Sequence, residues 1–354
     1  MIGTDVGTPT NSGIRPRSLQ LHKRCAARAA VLAFIAALTA PSACSASSAD
    51  TYQLIGRILR PDGTPFKTDR TVVFLHGAIR PYSAETLAGP DGQFKFKNLA
   101  SATYILIVEV PHAGELRKTV EVGAGFADSS RRVTVTVTFD RAAAEEPDQV
   151  VSRAELSVPG EARQLYDKAV QYLGRRDTQG AVDCLKKAVE ISPTYASAWN
   201  HLGTIAYQTG QYREAEDYFR KALAQEPGHY AALVNLGGAL LAEGKFDESL
   251  VANQRAAKAR PDDPLAHSQL GLSYFYLGND GEAETQLQQA KALEAGHYSS
   301  PQLFLAEIYV RRNQPLAAAA EIEEYLRLHP DSDKATELRK SLDSLRVAGK
   351  RIAP

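Results

Sequence analysis

From Thr51 to Phe139 the apolar and polar residues alternate with a period of two. In Arg132-Val-Thr-Val-Thr-Val-Thr-Phe139, Val133, Val135, Val137 and Phe139 fall on one face and Thr134, Thr136 and Thr138 on the other, the pattern of a half-buried strand. Phe94 and Phe96 alternate with Lys95 and Lys97 in the same way. Turn residues separate such runs at Pro61-Asp-Gly63, Pro90-Asp-Gly92 and Pro111-His-Ala-Gly114. About seven short strands with turns between them predict an antiparallel β-sandwich over 51–140. A polar stretch at 141–160, with Pro147 and Pro159, reads as a linker. Beyond it the apolar period becomes that of helices, and a longer period is superimposed. Pro193, Pro227 and Pro261 stand 34 residues apart, as do Ala181, Ala215, Ser249 and Ala283. Pro330 follows after two such intervals plus one inserted residue. The fold class predicted is therefore multidomain: an N-terminal antiparallel sandwich followed by an all-α solenoid.

Two resemblances attach to these patterns. Gly56, Ile58, Asp62-Gly63-Thr64-Pro65, Asp91-Gly92, Phe94, Phe96, Leu99, Tyr104, Leu106 and Val108 together resemble the carboxypeptidase regulatory-like domain, a prealbumin-type sandwich. One turn departs from that family, with Ala102 and Thr103 where it has Gly before the Tyr. The resemblance implies a spacer, stabiliser or weak binding module without catalytic residues.

The helical period resembles the tetratricopeptide repeat. The segment 196–229 matches best, through Trp199, Leu202, Gly203, Tyr207 displaced by one place, Ala215, Phe219, Ala222 and Pro227. Five copies are expected over 161–330, the last near 299–330 with Tyr325 in place of a small residue. Gly203, Gly237 and Gly271 on the first helix of a pair allow the second helix to approach closely. The segment 331–349 is expected to cap the stack as a helix, with Asp331, Ser332 or Asp333 as N-cap.

Charge adds a leader. The 41 basic and 41 acidic side chains balance, but Arg15, Arg17, Lys23, Arg24 and Arg28 face only Asp5 in the first 47 residues. The apolar run 29–40 follows, then Pro41-Ser-Ala-Cys44 and more small residues. A basic head, a short apolar stretch and a small-residue exit predict a secretory signal over 1–46, since a spanning helix needs about 20 apolar residues. Export to the periplasm, cell envelope or medium is the expected localisation. Cleavage after Ser45 or Ala46 would release a soluble chain. Cleavage before Cys44 would leave a lipid-bearing cysteine attached to the envelope. With Cys184 alone certain to remain, no disulfide framework is expected. The remaining charges give no basic patch for nucleic acid.

Candidate chemistry is sparse. No phosphate loop, H-E-x-x-H, G-x-S-x-G or C-x-x-C occurs. His112 and Glu115 have the H-x-x-E spacing of zinc carboxypeptidases, but a zinc site needs a third ligand, and the pair lies on a hairpin turn. Gly228-His229-Tyr230 and Gly296-His297-Tyr298 are 68 residues apart, twice the repeat. Two stacked pairs, at about 10 Å each, hold the imidazoles about 20 Å apart, too far to share a metal. Each Gly is expected to end a helix in the left-handed conformation and each Tyr to pack in the next repeat. No catalytic residue, metal or cofactor is expected.

The tetratricopeptide resemblance implies a concave face lined by first helices that receives a protein or peptide partner. Asn200, Thr204, Tyr207, Gln208, Asn235, Leu241, Leu272, Phe275, Tyr276, Val310 and Arg311 would line it. Aromatic residues of this kind carry interface energy, although Tyr207, Phe275 and Tyr276 serve equally well as packing between helices. The carboxylate clamp of chaperone-binding arrays uses Lys, Asn, Asn, Lys and Arg where this chain has Asn200, Thr204, Asn235, Leu265 and Gln269; only Asn235 fits and the cations are missing, which argues against an acidic C-terminal tail as ligand. The leading expectation is an exported adaptor. The alternative is a glycan- or peptidoglycan-binding module that uses Tyr52, Tyr82 and Phe94 as an exposed aromatic platform.

Overall fold

The structure is a computed structural model that describes residues 51–66, 71–110, 114–139, 157–330 and 332–352. The expected leader with Cys44, His112, residues 140–156 and the N-cap candidate Asp331 lie outside them. Seven strands, β1 (Tyr52–Leu59), β2 (Val72–Gly77), β3 (Ser83–Leu87), β4 (Gln93–Leu99), β5 (Ala102–Val110), β6 (Gly114–Val122) and β7 (Arg132–Thr138), form two sheets. The first has the order β4-β1-β7 and the second β3-β2-β5-β6. One expectation fails here: β1 pairs with β7 in parallel, Gln53 opposite Arg132 through Leu59 opposite Thr138. After β6 the chain crosses back to the first sheet, and a crossover of this kind delivers a parallel neighbour. The other strand pairs are antiparallel. Leu54, Ile58, Phe94, Phe96, Val135 and Val137 of the first sheet share one core with Val73, Leu75, Tyr104, Leu106 and Val108 of the second.

Eleven helices follow among the described residues. They are α1 (Gly160–Gly174), α2 (Thr178–Ile191), α3 (Ala196–Gln208), α4 (Tyr212–Gln225), α5 (Tyr230–Ala242), α6 (Phe246–Ala259), α7 (Pro264–Tyr276), α8 (Asp280–Leu293), α9 (Pro301–Arg311), α10 (Pro315–Leu328) and α11 (Ala335–Ile352). The first ten make five pairs of the tetratricopeptide type, an all-α solenoid. The small residues act as expected: Gly203 lies under the Phe219 ring, Gly237 against Asn253 and Gly271 against Leu287. Ala181, Ala215, Ser249 and Ala283 are fully buried at the facing positions.

The array starts earlier than expected. Val158 joins the first helical core, and the Arg163 guanidinium donates to its carbonyl at 2.9 Å, so the linker ends before 157. The terminal helix starts at Ala335, later than expected. Ser332 Oγ accepts the Lys334 N–H at 3.3 Å just ahead of it, and Ala335, Leu338 and Leu342 bury its apolar side.

The glycines before the two histidines do not adopt positive φ. That conformation falls instead in the turn inside each pair, at Arg176, Gly210, Gly244, Gly278 and Asn313. The first four are spaced by 34 residues and the last by 35, which locates the inserted residue in the fifth copy. His229 is the N-cap of α5, its Nδ1 accepting the Ala232 N–H at 3.2 Å. Asp263, one repeat on, caps α7 through the N–H groups of Leu265 and Ala266 and also accepts the Tyr230 hydroxyl at 2.7 Å. The expectation for Tyr230 therefore holds, since it is buried between its own pair and the next. His297 is buried and bonded to Ser299, and burial lowers its pKa to about 4.

The concave face as candidate protein interface

The first helices α3, α5, α7 and α9 supply the predicted face, and the face is already in contact with protein. The second β-sheet lies against it. Gln208 Nε2 donates to the Gly77 carbonyl at 2.8 Å, at the end of β2. Outside that sheet, Arg176 in the turn after α1 donates to the Asn98 carbonyl on β4 of the first sheet at 2.7 Å. Glu294, just past α8, accepts both the backbone N–H and the hydroxyl of Thr119 on β6, at 2.8 and 3.1 Å. His329, after α10, stands 3.7 Å from Glu121 on the same strand. At the other end, a Cβ on Gly174 of α1 would come within 2.9 Å of the Ser83 carbonyl on β3.

The strands were prepared for this in sequence. On β4 and β7 the outward positions are polar and all exposed. On β2 and β5 the outward positions include Val72, Phe74, Ile105 and Ile107, all half-buried. Near-continuous apolar runs mark strands covered on both faces, and the array supplies the second cover.

A cavity of about 610 Å³ remains between sheet and helices. Ile105, Ile107 and Arg117 face it from the sheet, and Asn235, Leu272 and Tyr298 from the array. Asn235 Nδ2 donates to Asn200 Oδ1 at 3.1 Å, tying adjacent pairs together along this wall. His76 and His201 line the same space from opposite sides. Burial, His201 and Arg117 lower the His76 pKa to about 3. Burial and His229 lower that of His201 to about 4, against an opposing bond to the Ser197 carbonyl. Both imidazoles are therefore neutral at neutral pH. Burial raises the pKa of Glu294, partly countered by the two Thr119 bonds.

Of the predicted face residues, Asn200, Thr204, Tyr207, Gln208, Asn235, Leu241, Leu272 and Tyr276 line the cavity. Three do not. Phe275 is 3% exposed inside the helical core, edge-on to Phe304 at 5.6 Å, with the Arg311 guanidinium 3.9 Å from its ring centroid. Arg311 is held there by Asp280 and by the fully buried Glu307. Val310 is half-buried away from the cavity. The ambiguity between consecutive aromatics resolves by division: Phe275 packs the core, while Tyr276 stacks on Phe246 and reaches the cavity.

The aromatic platform of the alternative reading is absent. Tyr52 and Phe94 are core residues, and Tyr82 packs edge-on against Tyr104. Cys184 is buried packing. Among the described residues no group of three His, Cys, Asp or Glu side chains is placed to hold a metal, and no helix is long and apolar enough to cross a membrane.

Comparison with known proteins locates the helical half. Residues 160–294 match the family model of the cilia and flagella-associated protein 70 middle TPR-like domain. A TPR repeat-containing protein of Rhizobium etli is 28% identical over 180 residues, 48% of this chain and 87% of that protein. The type IV pilus assembly protein PilF of Pseudomonas aeruginosa is 30% identical over 159 residues, 45% of this chain but only 57% of PilF. Among solved structures, MamA of Desulfovibrio magneticus is 21% identical, covering 50% of this chain and 99% of its own, with a TM-score of 0.46.

Proposed function

We propose that this chain is an exported, non-catalytic scaffold that holds a protein partner through its tetratricopeptide array, with the β-domain as a carboxypeptidase regulatory-like sandwich that positions it. The observation that carries this reading is the contact of the array with a protein surface, its own second sheet, by a hydrogen bond at Gln208 on the concave face, an apolar wall, and Glu294 in the turn before α9. Its relatives are in keeping with this, since they are named as repeat proteins and, for PilF, as an assembly protein. Export rests on the basic head and the apolar run 29–40, and envelope attachment through a lipid on Cys44 is the variant of it that the small residues before Cys44 allow.

The test is a crosslinking pull-down from the envelope fraction of the native organism. It compares wild type with a Tyr207→Ala, Tyr276→Ala variant whose circular dichroism is unchanged. A protein recovered by wild type and lost by the variant is the expected result. Equal recovery by both would remove the concave face from the function. The mass of the mature N-terminus, taken from the same fraction, reads cleavage after Ser45 or Ala46 against lipidation of Cys44.

A further inference from the structure

The concave face meets something that an extended peptide cannot supply. A peptide offers one main chain, whereas the sheet offers four strands side by side, and the array reaches each of them. Gln208 holds the end of β2, Gly174 leaves room for Ser83 of β3, Ile105 and Ile107 of β5 face the helices, and Glu294 holds Thr119 of β6. These points run from the first pair, at Gly174, to the fourth, at Glu294, and Glu121 extends them to His329 after the fifth.

We infer that the concave face is fitted to a folded β-sheet and that this chain's own β-domain is its resident occupant, so that an outside protein gains the face only by displacing that sheet. The inference rests on reading the array as a protein-binding face, and it names the class of partner: a folded β-sheet domain with aliphatic outer rows, rather than an extended chain. Three observations converge on it. The outward side chains of β2 and β5 include Val72, Phe74, Ile105 and Ile107 where a solvated face would be polar. The N–H of Thr119 faces away from the sheet's interior pairing, and it is answered by a carboxylate from the array. The Gly174 position has no space for a side chain while Ser83 is seated.

The test uses the full chain with a protease site inserted between residues 140 and 156, cut after folding and run on gel filtration at micromolar concentration. The two pieces are expected to elute together. Ile107→Asp puts a carboxylate against the apolar wall without touching the core between the sheets, and it is expected to weaken the association at least about 10-fold, because a charge that loses water there is costly even with Arg117 opposite it on β6. Thr136→Asp, on the exposed face of the other sheet, is expected to change nothing. Should Ile107→Asp disturb the β-domain, Leu272→Glu tests the same contact from the array. Separation of the wild-type pieces would overturn the inference, as would pieces of both interface variants that stay together.

The pull-down separates this result from the scaffold reading. Pieces that remain associated, with opened variants that capture no more protein than wild type, leave the inference standing and remove the scaffold. Wild-type pieces that separate, with a partner still lost on Tyr207→Ala, Tyr276→Ala, do the reverse.

Discussion

Gly203→Ala isolates the close approach on which each helical pair depends. An ideal Cβ at Gly203 would lie 2.5 to 3.0 Å from three atoms of the Phe219 ring, where carbon atoms prefer about 3.5–4.0 Å. Phe219 is 1% exposed and is enclosed by Ala206, Leu236, Leu240 and Ala252, so the ring has to retreat by about 1 Å into a filled core. Overpacking of this kind costs about 1–3 kcal/mol. Helix propensity offsets about 1 kcal/mol of that, since Ala replaces Gly inside α3.

The net expectation is a loss of about 1 kcal/mol, read by urea unfolding followed by far-ultraviolet circular dichroism. Two controls give the sign its meaning. A Cβ added at Gly281, in the first turn of α8, would meet nothing within 4 Å, so Gly281→Ala should be neutral or stabilising by up to about 1 kcal/mol. Adding Phe219→Leu to Gly203→Ala should recover part of the loss that the two changes cause separately. If Gly203→Ala stabilises as much as Gly281→Ala does, the glycine contact does not limit the pair and the packing argument is wrong.

Further outcomes follow from other contacts. Asp263→Ala removes the one oxygen that accepts both cap N–H groups and strands the buried Tyr230 hydroxyl, with an expected cost of about 2–3 kcal/mol in the same assay; adding Tyr230→Phe should reduce it. Arg311→Ala leaves the Glu307 carboxylate buried without its cation and should cost about 2–3 kcal/mol, of which Glu307→Gln in the same background should restore a part. His76 and His201 have pKa values depressed from 6.5 to about 3 and about 4. Protonation therefore favours the open or unfolded state, and stability present above pH 6.5 is lost as pH falls toward 4. Each should contribute a loss of about 2 kcal/mol between about pH 7 and pH 5, measured by denaturation at the two pH values. A His76→Gln, His201→Gln variant should flatten that dependence.

The repeat half was legible because its signals are periodic. Proline at the ends of pairs and glycine opposite Ala or Ser recur at fixed spacing, and five copies leave no room for another register. One local inference went astray, and one alternative left open in the sequence was decided by tertiary contacts. Glycine before His229 suggested a left-handed cap, but the turn that needs positive φ is the one inside each pair, where Arg176 and Asn313 also adopt it. Phe275 occupies the place of Tyr207 two repeats on, yet it is covered because the neighbouring pair brings Phe304 and Arg311 over it.

The docking of the sheet left a trace that alternation alone did not interpret. Tyr104 to Val108 is apolar at every position, unlike 132–138, and so marks a strand covered twice. What covers the second face depends on residues about 100 positions or more away, such as Gln208 and Glu294, and no local pattern carries that pairing.

Glu294 has a consequence beyond holding two domains together. β6 lies at the rim of its sheet, and a rim strand with unanswered N–H groups invites another chain to add alongside it. In the closed protein the Thr119 N–H is taken by a carboxylate, which also sets a negative charge where an incoming strand would place its own carbonyl. The repeat array thus answers one rim N–H of its β-domain, and displacement of the sheet would expose that donor at the same moment that it freed the groove.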